Sequence, residues 1–310
     1  MVAIVVHGGA INPLDEKFNK AINSAIVYGL DLLKKSESAV NTVCETIKTM
    51  EDNPIFNAGT GAWLNADGEV EMDAILVDGY TGKVGAVAAI KKVRNPILVA
   101  KKVMEETDHI LLVGEGATKF ARLVGFEEYN IVNEERRKRW NELKNKLLKG
   151  EDDPLLAYWT KIKKFVQFAE TVGAVALDRD GRIAAGTSSG GFPMKLPGRV
   201  GDVPIVNAST YASKICGISL SGYGELILRT MLASKIGNEI ENGEMPTNAL
   251  YKIINKYGVS ESGSKILLGG IALDWRGNVG CVKNTELLPH GYGRISDGKE
   301  EIKLNFGVVI

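Results

Sequence analysis

The chain has 310 residues, 45% apolar and 25% charged, values ordinary for a soluble globular protein and enough for one large domain or two small ones. Lys plus Arg and Asp plus Glu each total 38, so no net field draws the chain to nucleic acid or acidic lipid, and neither is expected as a partner. The three cysteines, Cys44, Cys216 and Cys281, stand far apart with no CxxC pair, which argues against a disulfide framework or a thiolate zinc site and fits a reducing cytoplasm.

In chain order, Val2–Val6 reads as a short apolar strand rather than a signal peptide, since MVAIVVHGGA has no basic start and no small-residue cleavage site. It ends at Gly8-Gly9, where the chain must turn. No apolar run reaches the roughly 18 residues that a membrane span needs. From Asp15 to Met50 apolar residues recur at helical spacing (Ile22, Ile26, Leu30, Leu33, then Val40, Val43, Ile47), which predicts two amphipathic helices broken near Ser36-Glu37-Ser38. Phe56 to Ala66, rich in Gly and Asn, reads as irregular. Glu69–Val77 and Lys83–Ile90 are strand-like runs joined by a turn at Asp78–Gly82. Ile97–Glu106 and Gly116–Leu123 read as helices. Residues 134–170 are dense in charge; they could form solvated helices, but are expected to lie outside the core as a linker, flexible at least in part. Beyond it, Thr171–Leu177 and Ile183–Thr187 flank the turn Asp178–Gly181, and Gly270–Leu273 and Val279–Val282 repeat that design around Asp274–Gly277. Gly224–Gly237 and Pro246–Tyr257 are helix candidates. The pattern predicts layered α and β with hairpin-joined, largely antiparallel strands, not a doubly wound parallel sheet.

The permitted chemistry is narrowed by elimination. Three histidines, His7, His109 and His290, make no HExxH or other i, i+4 pair, so a zinc protease is disfavoured. GxGxxG after a strand is absent. Clusters of hydroxyls and glycines remain. Thr171 opens a clean apolar strand directly after the charged segment. A strand-initial Thr is common in itself. If the backbone is cut before it, however, a free α-amine of pKa about 7.7–8.0 sits on the same residue as a hydroxyl and can take its proton. Arg199 and Asp202 stand three apart in a glycine-flanked loop: an Arg fork suits a carboxylate, an Asp an ammonium, and together they could hold both ends of a free α-amino acid, or simply pair in a surface turn. Ser221-Gly222 could offer a hydroxyl and an N–H to a developing oxyanion, or cap a helix.

Taken together, HGGA (His7–Ala10), NPIFNAGTGAWLNADGEVEMDA (Asn53–Ala74), TVGAVALD from Thr171, the Gly186–Gly191 run, GRVGD (Gly198–Asp202) and SGYGE (Ser221–Glu225) resemble the plant-type asparaginase and isoaspartyl peptidase family, in order and spacing, over nearly the whole chain apart from the charged segment. That resemblance implies the αββα sandwich of N-terminal-nucleophile hydrolases: one domain, 1–310, cut between Glu170 and Thr171 into an α subunit, 1–170, and a β subunit, 171–310. The pairs would assemble as homodimers in the cytoplasm. By motif, Thr171 would be the nucleophile, Ser189 its hydroxyl partner and Asn57 an orienting residue. Arg199 and Asp202 would bind the substrate's carboxylate and amine, Ser221 and Gly222 would form the oxyanion hole, and Gly224 would line the pocket.

The resemblance implies no organic cofactor, but a structural sodium ion on the main-chain carbonyls of Met50, Glu51, Asn53, Phe56, Ala58 and Thr60. The implied reaction is hydrolysis of L-asparagine or of β-aspartyl peptides through a β-aspartyl ester on Thr171. The chain departs from the family pattern in having Glu170 where Gly is usual, Ser189 and Ser221 where Thr is usual, and Tyr223 where His is frequent. Glu170 is closer to glycosylasparaginases, so a sugar–asparagine amidase is one alternative, and an uncut, inactive binding protein is another.

Overall fold

The computed structural model describes residues 1–10, 15–131, 133–153, 156, 171–260, 263–285 and 287–310. The first strand, β1 (Val2–His7), shows how the layers arise. Its side chains alternate, so Ile4 and Val6 pack under helices while Ala3 and Val5 face a second sheet. The helices are α1 (Glu16–Lys34), α2 (Ala39–Glu51), α3 (Pro96–Glu106), α4 (Gly114–Leu123), α5 (Glu134–Lys149), α6 (Gly224–Thr230), α7 (Leu232–Glu241) and α8 (Pro246–Tyr257). The remaining strands are β2 (Met72–Asp78), β3 (Val84–Ile90), β4 (Leu111–Val113), β5 (Val172–Leu177), β6 (Ile183–Ser189), β7 (Thr210–Ala212), β8 (Cys216–Gly222), β9 (Leu268–Asp274), β10 (Val279–Lys283), β11 (His290–Ser296), β12 (Lys299–Leu304) and β13 (Val308–Val309).

One sheet has eight strands in the order β12-β11-β1-β5-β6-β2-β3-β4, and the other has five, β13-β10-β9-β8-β7. Every pairing is antiparallel except β3 with β4 and β10 with β13. Helices α1 to α4 cover the larger sheet, α7 and α8 the smaller, and Val5, Val175, Ile183, Ile271 and Cys281 fill the space between the sheets. The expected αββα arrangement is therefore present. Along α1, Ile22, Ile26, Leu30 and Leu33 are fully buried, each worth about 1.5–3 kcal/mol against exposure. Asp15 and Ser38 cap α1 and α2 by accepting the Phe18 and Asn41 amides, which is why the two helices separate where the sequence predicted.

The hairpin turns share one device. Asp78 accepts the Tyr80 amide, Asp178 those of Asp180 and Arg182, and Asp274 those of Arg276 and Asn278. Two expectations need revision. Gly224–Gly237 is not one helix: Met231 turns left-handed at φ 49°, ending α6 and starting α7 in a new direction. In the charged stretch 134–170, the part up to Lys149 is helical. It buries Trp140 and Leu143 against Leu64, Leu156 and Met194, in a small cluster apart from the main core. The rest of that stretch lies almost wholly outside the described residues.

Candidate active site

Strand β5 is flanked by β1 and β6, and Thr171 stands immediately before it, 8% exposed, opposite Ser189 at the end of β6. The Thr171 hydroxyl donates to Ser189 Oγ at 3.4 Å, and Ser189 Oγ also accepts the Gly191 amide at 3.0 Å. Glu170, the other half of the expected cleavage site, lies outside the described residues.

Asn57 locks the turn that follows Ser189. Its carbonyl accepts the Gly190 amide at 2.9 Å, its Nδ2 donates to the Gly191 carbonyl, and its Oδ1 accepts the Trp63 amide at 2.9 Å. Gly190 is required there, because a Cβ would fall 2.4 Å from Asn57 Oδ1. Ser221 and Gly222 close β8, on the sheet that faces Thr171. Ser221 does not cap a helix. Its oxygen accepts the Ala10 amide at 3.0 Å, and α6 begins after Tyr223 without a side-chain cap. An oxygen that accepts in this way must point its own proton elsewhere.

One cleft brings together Asp73, Thr171, Ser189, Gly191, Phe192, Arg199, Asp202, Gly222 and Gly224. Arg199 and Asp202 therefore do converge, but not as a surface pair. Arg199 donates to Glu225 Oε1 through Nε and Nη2, at 3.2 and 2.8 Å, and its guanidinium lies 4.5 Å over the Phe192 ring. Burial pushes the Asp202 carboxyl up to about 6, against the pull of the nearby Arg199 charge. Gly224 is the floor for both: a Cβ would lie 2.6 Å from Asp202 Oδ1 and 3.0 Å from Arg199 Nη2. Sequence reasoning gave no role to Glu225, Phe192 or Asp73. Asp73 carried a signal, being an acid inside the apolar run of β2; it is 1% exposed and accepts the Ala89 amide at 2.8 Å.

Beneath Thr171 runs a buried polar chain. His7 Nε2 lies 2.9 Å from Ser219 Oγ, which lies 2.8 Å from Thr187 Oγ1, which bonds in turn to Thr210. Burial, aided by His290, drives the His7 pKa down to about 3, so the ring is neutral at ordinary pH. A buried, neutral ring in this chain is a structural group rather than a general base.

Among the described residues no group of His, Cys, Asp or Glu could hold a metal ion through side chains. The loop after α2 offers main-chain oxygens instead. A Cβ at Gly59 would fall 2.4 Å from the Glu51 carbonyl, and one at Gly61 2.0 Å from the Phe56 carbonyl and 2.4 Å from that of Pro54. Carbonyl oxygens are the donor type a hard cation takes; here those of Met50, Glu51, Asn53 and Ala58 also accept from the Asn53 amide, the Thr60 hydroxyl, the Phe56 amide and the Gly61 amide. No helix among the described residues is long and apolar enough to cross a membrane.

The chain is also similar to known proteins. A family model described as asparaginase matches residues 1–301. A plant-type L-asparaginase of Pyrococcus horikoshii is 47% identical, covering 97% of this chain and 98% of that protein. An isoaspartyl peptidase/L-asparaginase of Xenopus laevis is 42% identical over 79% of this chain and 78% of its own. An isoaspartyl peptidase of Escherichia coli is 36% identical over 95% and 93%.

Proposed function

The chain belongs to the asparaginase family, a family of hydrolases with the N-terminal-nucleophile fold, and on that premise we propose that it hydrolyses L-asparagine, β-aspartyl peptides or both through Thr171. The backbone is first cut between Glu170 and Thr171. The new α-amine then takes the proton of the Thr171 hydroxyl, and Oγ1 attacks the side-chain amide carbon. The Ser221 hydroxyl and the Gly222 amide receive the oxyanion. Ammonia or an amino acid leaves with the proton, and water hydrolyses the β-aspartyl ester to release aspartate. Ser189 and Asn57 keep the nucleophile and the following turn in register. Arg199 binds the α-carboxylate, sharing its fork with Glu225, and Asp202 binds the α-amine.

The observation that carries this reading is the convergence of Thr171, Ser189, Arg199, Asp202 and Gly222 on one cleft, drawn from segments far apart in the chain. The same proposal includes α and β subunits of residues 1–170 and 171–310, and a homodimer of cleaved pairs in the cytoplasm, a placement supported by three buried free thiols. It also includes a structural sodium ion on the carbonyls of Met50, Glu51, Asn53, Phe56, Ala58 and Thr60. That ion would stiffen the Asn57 loop and take no part in the chemistry.

Denaturing electrophoresis with N-terminal sequencing tests the reading. The expected result is two bands, one beginning TVGAV, and turnover of asparagine or a β-aspartyl dipeptide; Thr171→Ala should leave one band near 33.5 kDa and no turnover. A permanently uncut chain that still hydrolyses the amide would overturn it. Preference for glycosylated asparagine would point to the sugar–amide reaction, and an uncut chain that binds without turnover to a binding protein.

A further inference from the structure

Helix α5 does not pack on either sheet. It lies along the outside of the loop at residues 60–68, and its contacts with that loop are specific. The Arg136 guanidinium sits 3.8 Å over the Trp63 ring while its Nε donates to the Gly61 carbonyl at 3.0 Å. One turn on, Trp140 Nε1 donates to the Asn65 carbonyl at 2.8 Å, and the indole packs against Leu64 and Met194. The inner side of the same loop grips the site. The Trp63 amide donates to Asn57 Oδ1, and Asn57 holds both ends of Gly190-Gly191, next to Ser189. The Met194 amide donates to the Leu64 carbonyl at 2.9 Å and the Ala66 amide to the Lys195 carbonyl at 2.8 Å, which fixes the segment leading to Arg199.

We propose that α5 braces the active-site loops from outside, with Arg136 as the positioning residue for Asn57 and Trp140 as the positioning residue for the segment that carries Arg199. This rests on the function proposed above. Nothing in α5 touches the cleft, so its effect is on geometry alone: Asn57 positions the turn beside the nucleophile, whereas the segment from Met194 sets where the guanidinium meets a carboxylate. A charged helix that a core would reject is suited to this place, because it is held by a cation over a ring and by donors to carbonyls, with only Trp140 and Leu143 buried. After the proposed cut, α5 would belong to the upstream piece, and these contacts would keep it in place.

The test is a pair of variants with different kinetic signatures, made in the full chain. Arg136→Ala is expected to lower kcat by about tenfold or more with KM changed by less than about twofold, since small displacements near a nucleophile are costly. Arg136→Lys, which keeps a charge near Trp63 but loses the Nε donor to the Gly61 carbonyl, should recover part of that loss. Trp140→Phe, which removes the indole donor and part of the ring that packs against Leu64 and Met194, should raise KM severalfold and leave kcat within about twofold. A purely structural helix would lower the melting temperature in all three and leave both constants of the folded enzyme unchanged, and that result overturns the proposal. Hydrogen exchange gives a readout that does not depend on turnover: the Trp63 and Gly190 amides should exchange faster in Arg136→Ala than in the parent. If the parent hydrolyses neither asparagine nor a β-aspartyl dipeptide, the functional reading fails and exchange alone decides the brace; unchanged exchange there sinks it.

Discussion

Gly173 lies two residues into the strand that Thr171 opens, and its Cα carries no room for a methyl. A Cβ there would fall 2.0 Å from Ser219 Oγ and 2.4 Å from His7 Nε2, where ordinary contact is 3.4–4 Å, so the serine hydroxyl must retreat by more than an ångström. It cannot do so intact, because it lies 2.9 Å from His7 and 2.8 Å from Thr187 between two sheets. Gly173→Ala therefore breaks two buried hydrogen bonds, worth about 1 kcal/mol each net and more if a partner is left unsatisfied. Overpacking adds about 1–3 kcal/mol. The expected loss is about 3–5 kcal/mol, read by urea unfolding in a Thr171→Ala background so that parent and variant are both single chains. Adding Ser219→Gly, which removes the nearer obstruction but leaves the 2.4 Å approach to His7 Nε2, should make Gly173→Ala less costly than it is alone. A Gly173→Ala protein within about 0.5 kcal/mol of its parent would refute the account of how the two sheets are pinned beneath the nucleophile.

Three further outcomes follow from the site. Because Asp202 is held at about 6 and must be ionised to bind an ammonium, KM should rise as pH falls below about 6, in addition to the fall in kcat that protonation of the Thr171 α-amine causes below about 7.7–8.0; a KM flat from pH 7.5 to 5 would contradict its role. Ser221→Ala should lower kcat by about 10²–10³, the usual cost of one oxyanion donor, with N-terminal sequencing used to confirm that cleavage still occurs before rates are compared. His7 is depressed to about 3 from 6.5, so the unfolded chain gains a proton at a pH where the folded one does not. That contribution to stability is present above 6.5 and is lost as pH falls through about 3, at up to about 1.4 kcal/mol per unit. Unfolding with and without His7→Gln, both in the uncut Thr171→Ala background, at pH 7, 5.5 and 4.5 should show the form that keeps His7 losing stability faster.

What the sequence disclosed tracks the range of the interactions involved. The hairpins at Asp78, Asp178 and Asp274 were legible because each turn is made by an aspartate reaching its own backbone two to four residues on. Helices α1 and α2 were legible from apolar spacing and their capping Asp15 and Ser38. Strands β7, β8, β11 and β12 were not: TYA is too short to show a pattern, CGISLSG and HGYGRIS are interrupted by glycine and KEEIKL is charged, and each gains its order from partners elsewhere in the sheets. The positions of Thr171, Ser189, Arg199 and Asp202 around one cleft agree with the motifs. The pairing of Arg199 with Glu225 crosses 26 residues and has no local signature, and a surface turn with Asp202 was the natural guess. Charge density allowed a helix outside the core at α5, but composition could not show that Trp140 finds a carbonyl and an apolar nest on a distant loop.

The order of the larger sheet has a consequence for how such a molecule matures. Strands β12 and β11 follow Thr171, β1 precedes it, β5 and β6 follow it, and β2, β3 and β4 precede it. Upstream and downstream polypeptide are thus woven alternately, like the fingers of two clasped hands. A scission in front of Thr171 would leave two pieces that neither drift apart nor hold a shape alone, so assembly must be finished before the chain is nicked. Denaturing the nicked form should then be a one-way journey, unlike melting of the intact precursor.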